Sequence, residues 1–206
     1  MLNLLLSNPL IFLVTFGGLI ISLSVHEFSH ALIADRLGDP TPRMQGRVTL
    51  NPLAHLDPIG TILLLLTRFG WGKPVQFDPH NLQNPLRDSA LIALAGPAAN
   101  LLIAVAISLL IKTHVLTGGL LYLAGSEIFI INLVLAIFNL IPVYPLDGSK
   151  IILALLPRNL AYEYEAFINR YGFFVLLALI IPWYNGASPI SYLVSPALDF
   201  FLKILM

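Results

Sequence analysis

The chain contains no cysteine. Disulfide frameworks, thiolate metal sites and thiol nucleophiles are therefore excluded, and any metal must be held by His, Asp or Glu. Charge is also scarce. Charged residues fill 11% of the 206 positions, against about 25% in a typical soluble domain. Eleven basic and eleven acidic residues cancel, so no bulk field draws in phosphate or anionic lipid. No Lys or Arg precedes Arg36, so the first apolar run lacks the basic start of a removable signal peptide. Internal repeats and low-complexity tracts are also missing.

What is present is apolar. Hydrophobic residues make up 57% of the chain and mean hydropathy is +0.85. This excludes a soluble globular domain, a disordered chain and a nucleic-acid partner. It predicts an all-α polytopic membrane protein, with residues 1–206 as one domain embedded in the lipid bilayer. Four runs read as spans: 4–34, 89–111, 128–146 and the short 171–183. The run 59–67 is too short to cross ~30 Å of hydrocarbon as a helix, and is expected to re-enter or lie at the interface. Residues 191–206 read as an interfacial helix or a poor final span. In the loop 35–88, residues 43–50 read as a short strand and 73–77 as an extended piece, a β-like feature in an otherwise helical chain.

Loop cations set an expected orientation. Arg36, Arg43, Arg47, Arg68, Lys73 and Arg87 fall between the first two long runs, whereas Lys112 alone lies between the second and third. Residues 35–88 and 147–170 are then cytoplasmic, in a multi-pass protein of the cell membrane.

The first run holds His26-Glu27-Phe28-Ser29-His30, an H-E-x-x-H pattern. On a helix, residues four apart lie about 40° apart around the axis and ~6 Å along it. Both imidazoles can therefore grip one cation. Glu27 is turned away by about 100°, free to act as general base on a water that the cation polarises. Three titratable residues inside a span are costly to insert, at about 2.5–3.5 kcal/mol for a charged one, which packing alone does not explain.

A catalytic zinc takes three protein ligands. Asp147 is the best third, at the end of an apolar run that Pro142 and Pro145 break. Its alternative role is to cap the helix that follows. His55, in the turn-rich stretch 51–60, is the rival ligand, or else a substrate-gating, supporting or plain loop residue. His80 and His114 read as solvated loop residues. Buried His and Glu beside a broken helix would also suit a divalent-cation or proton transporter, although no inverted repeat is visible.

These motifs together resemble the site-2 protease family of intramembrane zinc metalloproteases. His-Glu-x-x-His is followed some 115 residues later by Asn139-Leu140-Ile141-Pro142-Val143-Tyr144-Pro145-Leu146-Asp147-Gly148, with Ala95-Gly96-Pro97 between them. Asn51-Pro52-Leu53-Ala54-His55-Leu56-Asp57-Pro58-Ile59-Gly60 is similar to a segment of small prokaryotic members. Ser149 stands where the family often has a second glycine. The resemblance implies a three-helix catalytic core plus extra helices. It also implies one Zn²⁺ per chain on His26, His30 and Asp147, with Glu27 as base. The substrates it implies are transmembrane proteins, cut within or near the bilayer, and the loop cations would set that cleavage toward the cytoplasmic side. No loop is long enough for a PDZ domain. Asn139 is a candidate for holding substrate backbone or the developing oxyanion. Asn100 and Asn132 read as helix–helix hydrogen-bonding residues, and the small residues around Gly96 as close-packing scaffold.

Overall fold

The computed structural model describes residues 1–67, 70–183 and 186–206. Arg68, one of the loop cations counted above, lies outside them. The described residues form α-helices and short turns, with no strand. Asn8 divides the first apolar run. Its side chain accepts from the Ile11 amide at 3.1 Å, and Pro9 supplies the fixed φ of a first helical position. Thus α1 (Leu2–Ser7) is a short lead-in to α2 (Pro9–Arg36). At about 1.5 Å per residue, α2 is longer than the ~30 Å hydrocarbon core.

A folded loop follows, containing α3 (Thr41–Met44) and α4 (Pro58–Thr67). Next come α5 (Pro85–Lys112) and α6 (Gly119–Asn139), then the short α7 (Gly148–Leu155), α8 (Arg158–Ile180) and α9 (Pro189–Leu205). Among the described residues, α2, α5 and α6 are the helices long and apolar enough to cross a membrane. Each packs on the other two. Ala104, Phe129 and Leu133 are buried where α5 meets α6, and Leu198, Phe201 and Leu202 of α9 pack against them.

Three expectations about elements change. The run 128–146 is neither the start nor the end of a helix. α6 begins at Gly119 and stops at Asn139, and residues 140–147 turn irregularly. Glu127 lies inside α6, where it accepts from the Thr15 hydroxyl of α2 at 3.3 Å. Residues 171–180 of the short run 171–183 are the latter half of α8, whose charged first half hides it from a hydropathy reading, and 181–183 lie beyond the helix end. Residues 43–50 are not a strand. Pro40 and Pro42 favour one helical turn, and the Arg47 amide returns to Pro42 O at 2.8 Å. The β-like feature is reduced to a single antiparallel bridge between Leu56 and Gly72.

The loop between α2 and α5 is held by two buried charges. The Asp39 carboxylate accepts from the Asp78 amide at 2.7 Å, the Asn81 amide group at 2.8 Å and the Thr41 hydroxyl at 2.6 Å. The Arg47 guanidinium donates to the carbonyls of Ala54 and Lys73. These ties lay residues 73–77, which are neither helix nor strand, beside the H-E-x-x-H turn of α2.

Candidate metal centre

His26 and His30 lie one turn apart on α2, and both are buried. Their Nε2 atoms are 3.0 Å apart. Asp147 reaches them from the other end of the sequence. After α6 stops, Ile141, Val143 and Leu146 are buried against Ile168 and Leu176 of α8, which fixes the path of 140–147. Asp147 Oδ2 then stands 3.1 Å from His26 Nε2 and 3.3 Å from His30 Nε2. Asp147 occupies the N-cap position of α7 but makes no capping hydrogen bond, so its carboxylate is directed to the histidines instead. The turn accepts Ser149 readily: its hydroxyl folds back onto Leu146 O at 2.7 Å.

The proton positions favour a cation. His30 Nδ1 is 2.7 Å from Ile92 O. A carbonyl only accepts, so Nδ1 carries a hydrogen, which leaves Nε2 as the nitrogen that can serve as a metal ligand. His26 Nδ1 likewise donates to Asn100 Oδ1 at 2.6 Å. Asp147 Oδ2 is buried without a hydrogen-bond donor. Three potential ligand atoms, all within 4.8 Å of one another, thus face each other. Such a trio needs positive charge between its members, and a metal ion would supply it. Two imidazoles and a carboxylate suit zinc in both donor type and number.

Space for the imidazoles comes from α5. A Cβ added to Gly96 would lie 2.5 Å from His30 Nε2 and 2.6 Å from His26 Cε1. Gly96 is therefore part of the site, a role that its reading as packing scaffold missed. Asn100, one turn further along α5, is also part of it. In sequence the hint was an unpartnered amide in a span without charge, since polar groups in a bilayer must be satisfied internally.

The three residues open into a polar cleft of about 120 Å³, also lined by Glu27, Pro74, Val75, Phe77, Asn139 and Lys150. Glu27 is half-buried, and its Oε2 accepts from the Val75 amide at 3.1 Å. Lys150 Nζ lies over the Phe77 ring, 4.4 Å from its centre, linking the stretch 73–77 to α7. Asn139 lines the cleft and donates to Leu135 O at 3.0 Å. His55 does not join the cluster. It is fully buried in the loop, where its Nε2 donates to Thr49 O at 2.7 Å and its own carbonyl receives the Lys73 amide at 2.8 Å. It supports the segment that lines the cleft.

Comparison with known proteins accords with this geometry. Residues 114–179, which include Asp147, match the model of peptidase family M50. "Putative zinc metalloprotease YwhC" of Bacillus subtilis is 38% identical over 190 residues, covering 88% of this chain and 84% of that protein. The chain belongs to peptidase family M50. This M50 protein is a metalloendopeptidase with three apolar helices in an all-α membrane fold. "Putative zinc metalloprotease Rip2" of Mycolicibacterium smegmatis is 30% identical over 185 residues, 83% of this chain and 68% of that protein. No solved structure gives a significant match. Membership of a peptidase family places peptide hydrolysis ahead of the transporter reading.

Proposed function

We propose that this M50 protein is a zinc metalloendopeptidase that cuts membrane-protein substrates within or near the bilayer. It would carry one zinc per chain on His26, His30 and Asp147, with the cleft facing the cytoplasm and residues 1–206 acting as one membrane-embedded domain. The observation that carries the reading is the buried trio of potential ligand atoms, 3.0 to 3.3 Å apart, in a cleft that Glu27 also lines. The names of the relatives favour zinc over other ions. The excess of Arg and Lys in the loop 35–88 favours the cytoplasmic side.

Zinc, when bound there, would acidify a water and polarise the scissile carbonyl. The remaining work falls to the chain. Glu27 accepts a proton from the attacking water and passes it to the leaving amine. Its Oε2 is held by the Val75 amide, which fixes the carboxylate's direction along the cleft. Pro74, Val75, Phe77 and Asn139 line the cleft around it. A substrate segment must be unwound to lie between them, because a helix engages its own carbonyls. Edge pairing with 73–77 would present it in extended form, with Asn139 near the carbonyl under attack.

The test uses purified protein and a panel of single-span membrane proteins, with and without a zinc chelator. Cleavage that a chelator stops and added zinc restores supports the proposal. Cleavage indifferent to the chelator contradicts it.

A further inference from the structure

The buried polar residues behind His26 form one directed chain of hydrogen bonds, and its direction can be worked out atom by atom. The Ser22 hydroxyl donates its single hydrogen to Gly18 O at 2.7 Å. It must therefore act as acceptor toward Asn132 Nδ2, 2.8 Å away. The second Asn132 Nδ2 hydrogen goes to Ile128 O, also at 2.8 Å. Both donors of Asn132 are then committed, and its Oδ1 faces Asn100 at 2.8 Å. Only the Asn100 nitrogen can sit there. Its other hydrogen reaches Ser22 O at 3.2 Å. What Asn100 has left for His26 is its oxygen, at 2.6 Å.

Reversing either amide would place oxygen against oxygen. Ser22, Asn100 and Asn132 are all buried, so no water is at hand to repair such a clash. The three side chains come from α2, α5 and α6, the helices of the core.

We propose that Asn100 is a positioning residue of the peptidase site, with Asn132 and Ser22 fixing which way its amide points. It holds His26 with the hydrogen on Nδ1 and the Nε2 lone pair directed at His30 and Asp147. Asn132 acts on the site without touching it, through Asn100. This rests on the proposed role of His26 as a ligand. Outer partners of metal-binding histidines typically contribute about 10–100-fold in metal affinity or activity.

The test is zinc affinity by chelator competition, on the full chain in detergent, with the absorption spectrum of the cobalt-substituted protein as a second readout. Asn100→Leu removes the acceptor at similar volume. It is expected to bind zinc about 10–100-fold more weakly and to alter the cobalt spectrum, while its helical circular dichroism is retained. Asn100→Asp keeps an oxygen for Nδ1 and, when protonated, a hydroxyl for Asn132 Oδ1; it is expected to recover most of the affinity. Asn132→Leu should fall between them. An Asn100→Leu protein with wild-type affinity and an unchanged cobalt spectrum overturns the proposal. Should that variant not fold, ¹⁵N NMR of His26 in the zinc-loaded wild type decides. Hydrogen on Nδ1 supports the proposal, and hydrogen on Nε2 overturns it. A wild-type chain that binds no zinc would instead overturn the ligand assignment itself, a result distinct from an Asn100→Leu variant that binds zinc as tightly as wild type.

Discussion

Gly96 on α5 faces His30 on α2 so closely that a single added carbon would stand 2.5 Å from the imidazole Nε2. The His26 ring lies 2.6 Å from the same point, so both imidazoles stand in the way. Gly96→Ala should therefore displace both imidazoles or push α5 away from α2. We expect zinc affinity to fall at least tenfold and cleavage to be lost, with little change in helical content. Metal analysis and circular dichroism of the purified variant check this. Zinc binding equal to wild type would mean that the two helices separate without cost.

The loop between α2 and α5 should stay on one side of the membrane. α4 has ten residues and, at about 1.5 Å each, reaches only about half of the ~30 Å core. The natural lack of cysteine makes labelling clean. Cysteines introduced one at a time at Gln45 and Gln83 should both react from the cytoplasmic face. Reaction from opposite faces would mean that the loop crosses, and the orientation drawn from its cations would fall with it.

Much of the site was legible in the sequence because its decisive contacts are local or periodic. His26 and His30 are one helical turn apart, and Asp147 follows two prolines that end a span. What was missed depends on packing between distant segments. Asn100 meets His26 across 74 positions of sequence, and Gly96 matters only because α5 crosses α2 at that level. Element ends failed for a different reason. The run read as a span begins at 128, just after Glu127, yet the Thr15 hydroxyl satisfies part of the Glu127 carboxylate inside the helix. Val48 and Thr49 suggest a strand, but among the described residues no strand pairs with them, and the buried Arg47 ties the loop by other carbonyls.

Asp39 should make the loop acid-sensitive. Burial pushes its carboxyl pKa up, but hydrogen bonds from Thr41, Asn81 and the Asp78 amide outweigh it and hold the value below the ordinary 3.8. A carboxylate lowered in the folded state adds stability that is fully present above its unfolded pKa, and that stability is lost as pH falls through the folded value. Loop stability should thus be flat above about pH 5 and decline below 3.8. Asp39→Ala should remove about 1–3 kcal/mol at neutral pH, because the amides it serves lose their acceptor. Hydrogen exchange over residues 39–81, corrected for intrinsic rates, is the measurement. Protection unchanged in the variant would mean that Arg47 alone holds the loop.

Asp147→Ala should lose zinc along with activity, since two histidines one turn apart leave a catalytic zinc short of its usual three protein ligands. Metal content after dialysis against a weak chelator measures this. Full occupancy in the variant would remove Asp147 from the ligand set. His55, buried in the loop and bonded to Thr49, offers no ready replacement.

The most direct test of the account is zinc content and cleavage measured together in Glu27→Gln. Gln keeps the shape of the side chain and its carbonyl oxygen can still accept the Val75 amide hydrogen, but it cannot take a proton from water at neutral pH. Loss of a general base typically costs about 10²–10⁴ in rate. The account predicts one zinc per chain, an intact fold and cleavage slowed at least a hundredfold. Loss of the zinc, or cleavage at the wild-type rate, would contradict it.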